Sequence, residues 1–596
     1  MTDGLIAGVV AFVCSSSLAA ALACAVHGRL TGAVALGSLL FGGLVARLAA
    51  RDFAGAGRRE RWAWRAFSPG AAGQIEVLAF GLTIAVAVRQ FAYLIYRADA
   101  DYRSLDVNNL GDLPLHLDVI RYVAQGAAWP LRNPIFALEP LRYPLGSDLH
   151  AALWEALGVP TASHLFWVGV ALTVASLLLL RSWASWWGIA AVYFSGGWTG
   201  WTAGAGLDWQ SQVAWKNVFL AALLTQRGLL FAIPIGVMLL VRYRRTILLP
   251  DEPLRMREAL WLGFFWGALA FFHPHSFLAV SLMIGGYAVI GAGRSRSLLP
   301  SLAVAVPLGG FWILHASAWL RRASIIHVSW GWTRGLTPWG RYVGDNFGPW
   351  SLLAVFSLAA VWWGPAAGRS RRLLWEGGLY LALFLLFFNV MLAPWEWDNI
   401  KVLIWPFIGF GLFFNQTLSP AIRSSVPSGI AVGASAAALA FVASASGVRA
   451  LLEASSDNSH SVRLFSVGEL ALTKGALVRV PIDAVLLTKP SYDHPACFLG
   501  RARAVGYAGH LWSHGIDGGL AAKQAEEIFQ GVPDWRRLVR NLKITHIFWG
   551  PIEKAAYGDA PKPWQKTLAN VSGVPEYDVY EIKDEAAGPP EPADAP

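Results

Sequence analysis

Asp106-Val107-Asn108-Asn109-Leu110-Gly111-Asp112-Leu113-Pro114-Leu115-His116 follows directly on an apolar run at 75–96. The next apolar run begins only near 162, so a polar loop of roughly 97–161 separates them. A helix needs about 20 apolar residues to cross the hydrocarbon core, and a flanking loop this rich in polar groups belongs at the water boundary. Outward from this point the pattern repeats. Candidate spans lie near 5–26, 31–50, 75–96, 162–180, 184–200, 224–242, 258–273, 275–293, 298–319, 350–364, 373–393, 400–417 and 427–447. The expectation is a polytopic α-helical membrane protein of about 13 transmembrane helices. His273-Pro274-His275 marks either one broken helix or two helices.

Composition agrees. Among 596 residues only 14% are charged and 55% are hydrophobic. Ordinary soluble domains carry about 25% charged residues. Disorder and a single soluble domain are excluded. The net charge of +10 is interleaved with apolar runs, unlike the polar basic face of a nucleic-acid binder, so no nucleic acid is expected as partner. Thirty Trp suit the two membrane interfaces. Three cysteines, Cys14, Cys24 and Cys497, make no disulfide framework and no metal pattern. Met1-Thr2-Asp3-Gly4 has no basic stretch, so the first run reads as a retained helix.

Arginine clusters follow the second, sixth, eighth and tenth spans: Arg51, Arg58, Arg59, Arg61 and Arg65; Arg242, Arg244, Arg245, Arg255 and Arg257; Arg294 and Arg296; Arg369, Arg371 and Arg372. Strict alternation puts all four on one side, which the positive-inside rule makes cytoplasmic. The N-terminus is then inside and the C-terminus outside. The composition looks bacterial, so the inner (plasma) membrane is the expected location. The division expected is a transmembrane domain at 1–449 with its external loop 97–161, a soluble extracytoplasmic α/β domain at 450–583, and a disordered, Pro/Ala/Glu-rich tail at 584–596. Strand-like Ala484-Val485-Leu486-Leu487 and Ile544-Thr545-His546-Ile547-Phe548-Trp549 alternate with helical stretches at 520–529 and 535–542, the α/β signature.

Chemistry concentrates in the loops on the external side. A carboxylate at the membrane–water boundary can act as general base on an acceptor hydroxyl, and Asp112 and Asp106 are the candidates. His116 is four residues after Asp112, on the same face if Leu113 onward is helical. Trp395-Glu396-Trp397-Asp398-Asn399-Ile400-Lys401 is a second dense turn. Asp398 and Lys401 are spaced i, i+3, and Lys401 at a helix N-terminus presents a cation beside free N–H groups, a phosphate site. The bland alternative is an interfacial anchor, with a Trp belt, an N-cap and a snorkelling Lys. A third loop carries Arg321, Arg322, His327, Arg334 and Arg341. Arg321 and Arg322 read as helix-end anchors, Arg334 and Arg341 as phosphate ligands among Gly and Trp. His273 and His275 could contact substrate, form a kink, or bind metal if the backbone breaks at Pro274. Walker A, GxGxxG, HExxH and GxSxG patterns are absent.

The order of a span, an Asp-bearing loop with an amphipathic helix, many spans and a terminal soluble part resembles the GT-C superfamily of polytopic glycosyltransferases. Gly111-Asp112 with His116, Asn133-Pro134 and Leu141-Arg142-Tyr143-Pro144 carry the resemblance, and the Trp-Asp-Asn-x-Lys text at 397–401 is similar to text in such proteins. Two extra N-terminal spans, and Leu113 where the family has an acidic pair, depart from the pattern. The resemblance implies an inverting glycosyltransferase that moves a sugar from a polyprenyl-phosphate carrier to a glycan, lipid or protein acceptor. Asp112 would be the first choice of base and Asp106 the second. Lys401, Arg341 and Arg334 would bind donor phosphate. His116, His273, His275, Asp398, Asn399 and Glu396 would line the substrate site. No cofactor is required, because the lipid phosphate leaves already ionised; a divalent metal could assist. The rival functions are a lipid or glycan transporter or flippase, and a non-catalytic cell-envelope assembly factor.

Overall fold

The computed structural model describes residues 2–54, 71–202, 204, 207–249, 254–317, 326–363, 370–422, 427–456 and 461–583. Arg58, Arg59, Arg61, Arg65, Arg321, Arg322, Arg369 and the tail at 584–596 lie outside the described residues.

Apolar runs fold as helices because a backbone in hydrocarbon must satisfy its own polar groups. The first three are α1 (Thr2–His27), α2 (Gly32–Ala54) and α3 (Ala71–Ala92). A hairpin, β1 (Tyr96–Ala98) and β2 (Asp101–Ser104), leads into α4 (Asn109–Ala124). The pair β3 (Arg132–Asn133) and β4 (Phe136–Pro140) precedes α5 (Gly146–Ala156) and α6 (Thr161–Ile189). A short α7 (Thr199–Thr202) is followed by α8 (Arg227–Leu248), α9 (Met256–Phe272), α10 (Pro274–Ile290) and α11 (Leu299–Ser317). Then come β5 (His327–Val328), α12 (Trp339–Asn346), α13 (Pro349–Trp363), α14 (Ser370–Asn389), β6 (Val390–Met391), α15 (Ile400–Ile422) and α16 (Pro427–Ser456).

Among the described residues eight helical runs are long and apolar enough to cross a membrane. Pro274–Ile290 and Pro349–Val361 are apolar but shorter. The chain is thus a mostly helical membrane protein. Inside α6, Ala184 (φ −146°, ψ 24°) and Ser185 (φ 56°, ψ −146°) leave helical geometry. Gly188 then returns against the Leu180 carbonyl, where a Cβ would sit only 2.3 Å away. The run therefore doubles back here, at the gap between the two spans read from the sequence. Glu76 of α3 fixes the bend, accepting from Arg181 Nε at 3.1 Å and from the Ser185 hydroxyl.

His273 resolves the His-Pro-His ambiguity in favour of two helices. Its backbone is extended (φ −157°), Pro274 takes the first helical position, and its Nδ1 accepts from the Ser276 N–H of α10 at 3.2 Å. Pro is at home there, because its missing N–H would be unpaired anyway.

After α16, β7 (Val462–Ser466) adds to the first hairpin in the order β1-β2-β7. Next come α17 (Val467–Ala476), β8 (Leu486–Leu487), α18 (Pro495–Phe498), α19 (Ala508–Ser513), α20 (Gly519–Phe529), α21 (Trp535–Asn541) and β9 (His546–Trp549). The chain closes with α22 (Pro551–Tyr557), α23 (Pro563–Thr567), β10 (Ala569–Asn570) and β11 (Asp578–Glu581). A four-stranded sheet runs β10-β11-β9-β8, with β8 and β9 parallel and the other pairs antiparallel.

Candidate functional site

A polar cluster is built from three distant pieces of chain. The first is α4. Asp106 Oδ1 accepts from the Asn108 N–H at 2.8 Å, ordering the turn that starts the helix. Asp112 falls in its first turn and is half-buried. One turn later His116 shares its face. His116 is 3% exposed, and its Nδ1 lies 2.9 and 3.0 Å from the two carboxylate oxygens of Asp148. Asp148, in the first turn of α5, is fully buried.

The second piece is the turn into α15. Lys401 Nζ is 2.9 Å from Asp398 Oδ2, and both side chains are largely buried. Asn399 braces the turn: its Nδ2 donates to the Phe387 and Val390 carbonyls, and its Oδ1 accepts from the Leu392 N–H at 2.8 Å. Trp397 Nε1 donates to the Ala214 carbonyl at 2.8 Å, and Lys216 sits over its ring.

The third piece comes from beyond residue 490. His510 Nε2 is 2.9 Å from the Gly111 carbonyl, and the His514 ring stacks on Tyr143 at 5.0 Å. This segment is fastened to α4 by a buried ion pair between Arg503 and Asp118. Arg121 adds a bond to the Phe498 carbonyl at 2.8 Å, and its guanidinium lies over the Phe498 ring at 4.0 Å. Gly500 (φ +62°) is required, since a Cβ there would meet the Tyr122 nitrogen at 2.3 Å.

These pieces form one electrostatic cluster. Burial pushes the Asp112 carboxyl up, Lys401 and His116 pull it down, and Asp398 pushes it up again. Burial, helped by Asp148, Asp112 and Asp398, pushes the Tyr143 phenol well up. Burial drives His514 down to about 3, aided by the neighbouring His510, Lys401 and His116. His510 is held down to about 4 by burial against the pull of the Gly111 carbonyl. Both therefore stand as neutral imidazoles at neutral pH. His275 is within electrostatic reach of Lys401 and Asp398, and its Nε2 is 3.4 Å from the Leu392 carbonyl. His273 is within reach of His275 and Lys401.

Asp112, His116, Asp398, Lys401, His273 and His275 are thus gathered at one place. Asn399 braces the turn that carries two of them, while Asp106, Glu396, Arg334 and Arg341 are held elsewhere. Asp106 lies beside Lys216. Glu396 Oε1 is 3.9 Å from His327 Nε2, with its side chain facing away from burial. Arg334 donates to the Thr337 carbonyl at 2.7 Å and stacks on Trp339 at 4.4 Å. Arg341 is 77% exposed and pairs with Asp345 on its own helix at 3.5 Å. Neither arginine forms an ion pair or hydrogen bond with the Asp112–Lys401 cluster. Among the described residues no three His, Cys, Asp or Glu side chains converge as metal ligands.

Sequence reading missed Asp148, Tyr143, Arg503, His510 and His514 as parts of this cleft. Tyr143 and Asp148 had a local signal: both fall in or just after the Leu-Arg-Tyr-Pro text. The last three had none, since they are about 370 to 400 residues from their partners.

No protein-family model matches the chain, and no curated protein matches it. Among solved structures it is similar to the apo crystal structure of the oligosaccharyltransferase of Archaeoglobus fulgidus. The identity is 11%, over 81% of this chain and 70% of that chain, with a TM-score of 0.46. At that identity and that score the likeness carries no argument about activity.

Proposed function

We propose that the protein is an inverting membrane glycosyltransferase that moves a sugar from a polyprenyl-phosphate carrier to an acceptor hydroxyl at the external membrane face. One observation carries this reading: a half-buried carboxylate, Asp112, lies within electrostatic reach of a cation, Lys401, which is paired with Asp398 at the start of a span, and neutral histidines stand in the same cluster. Such a pair suits a reaction that removes a proton at one end and releases a phosphate at the other. Asp112, its carboxyl raised toward the working pH, takes the proton of the acceptor hydroxyl. The acceptor oxygen attacks the anomeric carbon from the side opposite the phosphate, which leaves with its bonding pair and inverts the centre. Lys401, near the N-terminus of α15, balances the charge gathering on the phosphate. The carrier, the sidedness, the bacterial inner membrane and the soluble role of 450–583 belong to the same proposal.

The test is turnover of full-length protein in detergent, with a panel of synthetic short-chain polyprenyl-phosphate hexoses. Asp112→Asn is expected to bind donor and lose nearly all turnover. Near-normal turnover in both Asp112→Asn and Asp106→Asn would sink the reading and favour a transporter.

A further inference from the structure

In the reading above Asp112 takes the acceptor proton, and that proton must leave before the next turnover. The cleft holds a second device that this chemistry has not used. His116 and Asp148 form a closed dyad, 3% and 0% exposed, with both carboxylate oxygens on the same ring nitrogen. Contacts at 2.9 and 3.0 Å require Nδ1 to carry the hydrogen and donate it. In the neutral ring the opposite nitrogen, Nε2, is an acceptor. Among the described residues no other group bonds to Nε2, and the groups near the ring are those of the cluster: Asp112 on its own helix, Tyr143 at 6.1 Å between centroids, and His510 and His514 from the far segment. Behind the dyad stands Arg227, 2% exposed, with Asp148 as its electrostatic partner.

We infer that His116 is the proton carrier of the reaction and that Asp148 is its positioning residue. The inference rests on the glycosyl-transfer reading above. The acceptor O–H bond breaks, its proton passes to the Asp112 carboxylate, and the new C–O bond forms as the phosphate leaves. The Asp112 proton then passes to His116 Nε2. The resulting imidazolium is held by the Asp148 carboxylate, and it releases its proton to water in the cleft, which restores both groups. Asp148 does what a buried carboxylate does behind a catalytic histidine: it fixes the tautomer and orientation and stabilises the cation.

The experiment uses full-length protein in detergent micelles and the same short-chain polyprenyl-phosphate hexoses. Asp148→Asn and His116→Gln are each expected to lower kcat about 100-fold while leaving the donor KM within about twofold. Added imidazole is expected to restore about tenfold of the turnover lost in His116→Ala, which a structural tie would not allow. Nitrogen-15 NMR of labelled histidines, assigned with His116→Gln, is expected to show the Nδ1–H tautomer in the unmutated protein and its loss in Asp148→Asn. His116→Gln keeping more than about half of normal kcat while Asp112→Asn is dead would overturn the inference and leave the transferase reading standing. An Nε2–H tautomer in the unmutated protein would overturn it without any substrate. Normal turnover in Asp112→Asn would instead fail the transferase reading.

Discussion

Two loop segments in this chain carry cations among tryptophans and look alike as text: Trp330 to Arg341, and Trp395 to Lys401. Their fates differ. Lys401 is tucked beside Asp398, within electrostatic reach of Asp112. Among the described residues, exposed Arg341 pairs with Asp345 one helical turn away, and Arg334 is spent on a carbonyl and a Trp face. The segments are neighbours, since β5 and β6 pair across His327–Met391 and Trp332 Nε1 donates to the Glu396 carbonyl. What differs is desolvation: a charge held away from water by protein on several sides keeps its field, and an exposed pair is screened.

The contrast can be broken most directly at Asp112. Asp112→Asn keeps the shape and loses the basicity, so turnover should fall roughly 10²–10⁴-fold with donor binding kept. Asp106→Asn should lose less, because Asp106 orders the turn. The pH profile sharpens this. Burial raises the Asp112 carboxyl, so the ionised base is lost on acidification earlier than an ordinary carboxylate would be, and kcat should show its acid limb above the usual carboxylate range. Lys401 lowers that carboxyl, so Lys401→Gln should move the limb to still higher pH.

Next comes the fastening of the far segment. Arg503→Met would leave Asp118 buried and unpaired, at a cost of about 3–5 kcal/mol. Thermal unfolding in detergent should show it, and Asp118→Leu with Arg503→Met together should recover much of the loss. A single substitution without effect on unfolding would mean that the C-terminal segment is held by its apolar and backbone contacts alone.

Lys401→Gln should weaken donor binding about tenfold, the scale of one charge-assisted bond of roughly 1.5–3 kcal/mol. Smaller again is the response of the C-terminal wall to acid. His510 and His514 are held neutral in the folded cleft, down to about 4 and about 3, against 6.5 for a free imidazole. As pH falls below 6.5 the undocked state binds protons that the docked state refuses, so docking weakens progressively toward pH 4. Hydrogen exchange at 500–516 should rise over that window in the unmutated protein and rise less in a His510→Gln, His514→Gln double variant. The smallest effect is expected at Arg341→Gln, with donor binding changed by less than about twofold, as for an exposed pair worth about 0–1 kcal/mol. Equal losses at Arg341 and Lys401 would erase the contrast and extend the phosphate site across both segments.

The sequence by itself determined the helical runs, because a backbone in hydrocarbon has few options and the apolar composition declares where it lies. It also marked two relations spanning one helical turn. Asp112 with His116, and Asp398 with Lys401, were legible as i, i+4 and i, i+3 pairs, and the break at Pro274 was legible from its missing N–H. Tertiary structure alone decided which of these local pairs meet. The His116–Asp148 dyad spans 32 residues, and the His510 and Arg503 contacts with α4 span 399 and 385. No periodicity links positions that far apart. Their meeting depends on how α5 packs beneath α4 and how Gly500 lets a distant loop press onto Tyr122. Charge pattern names the candidate groups, and packing settles which of them leave water together, because only there do their fields act on one another at full strength.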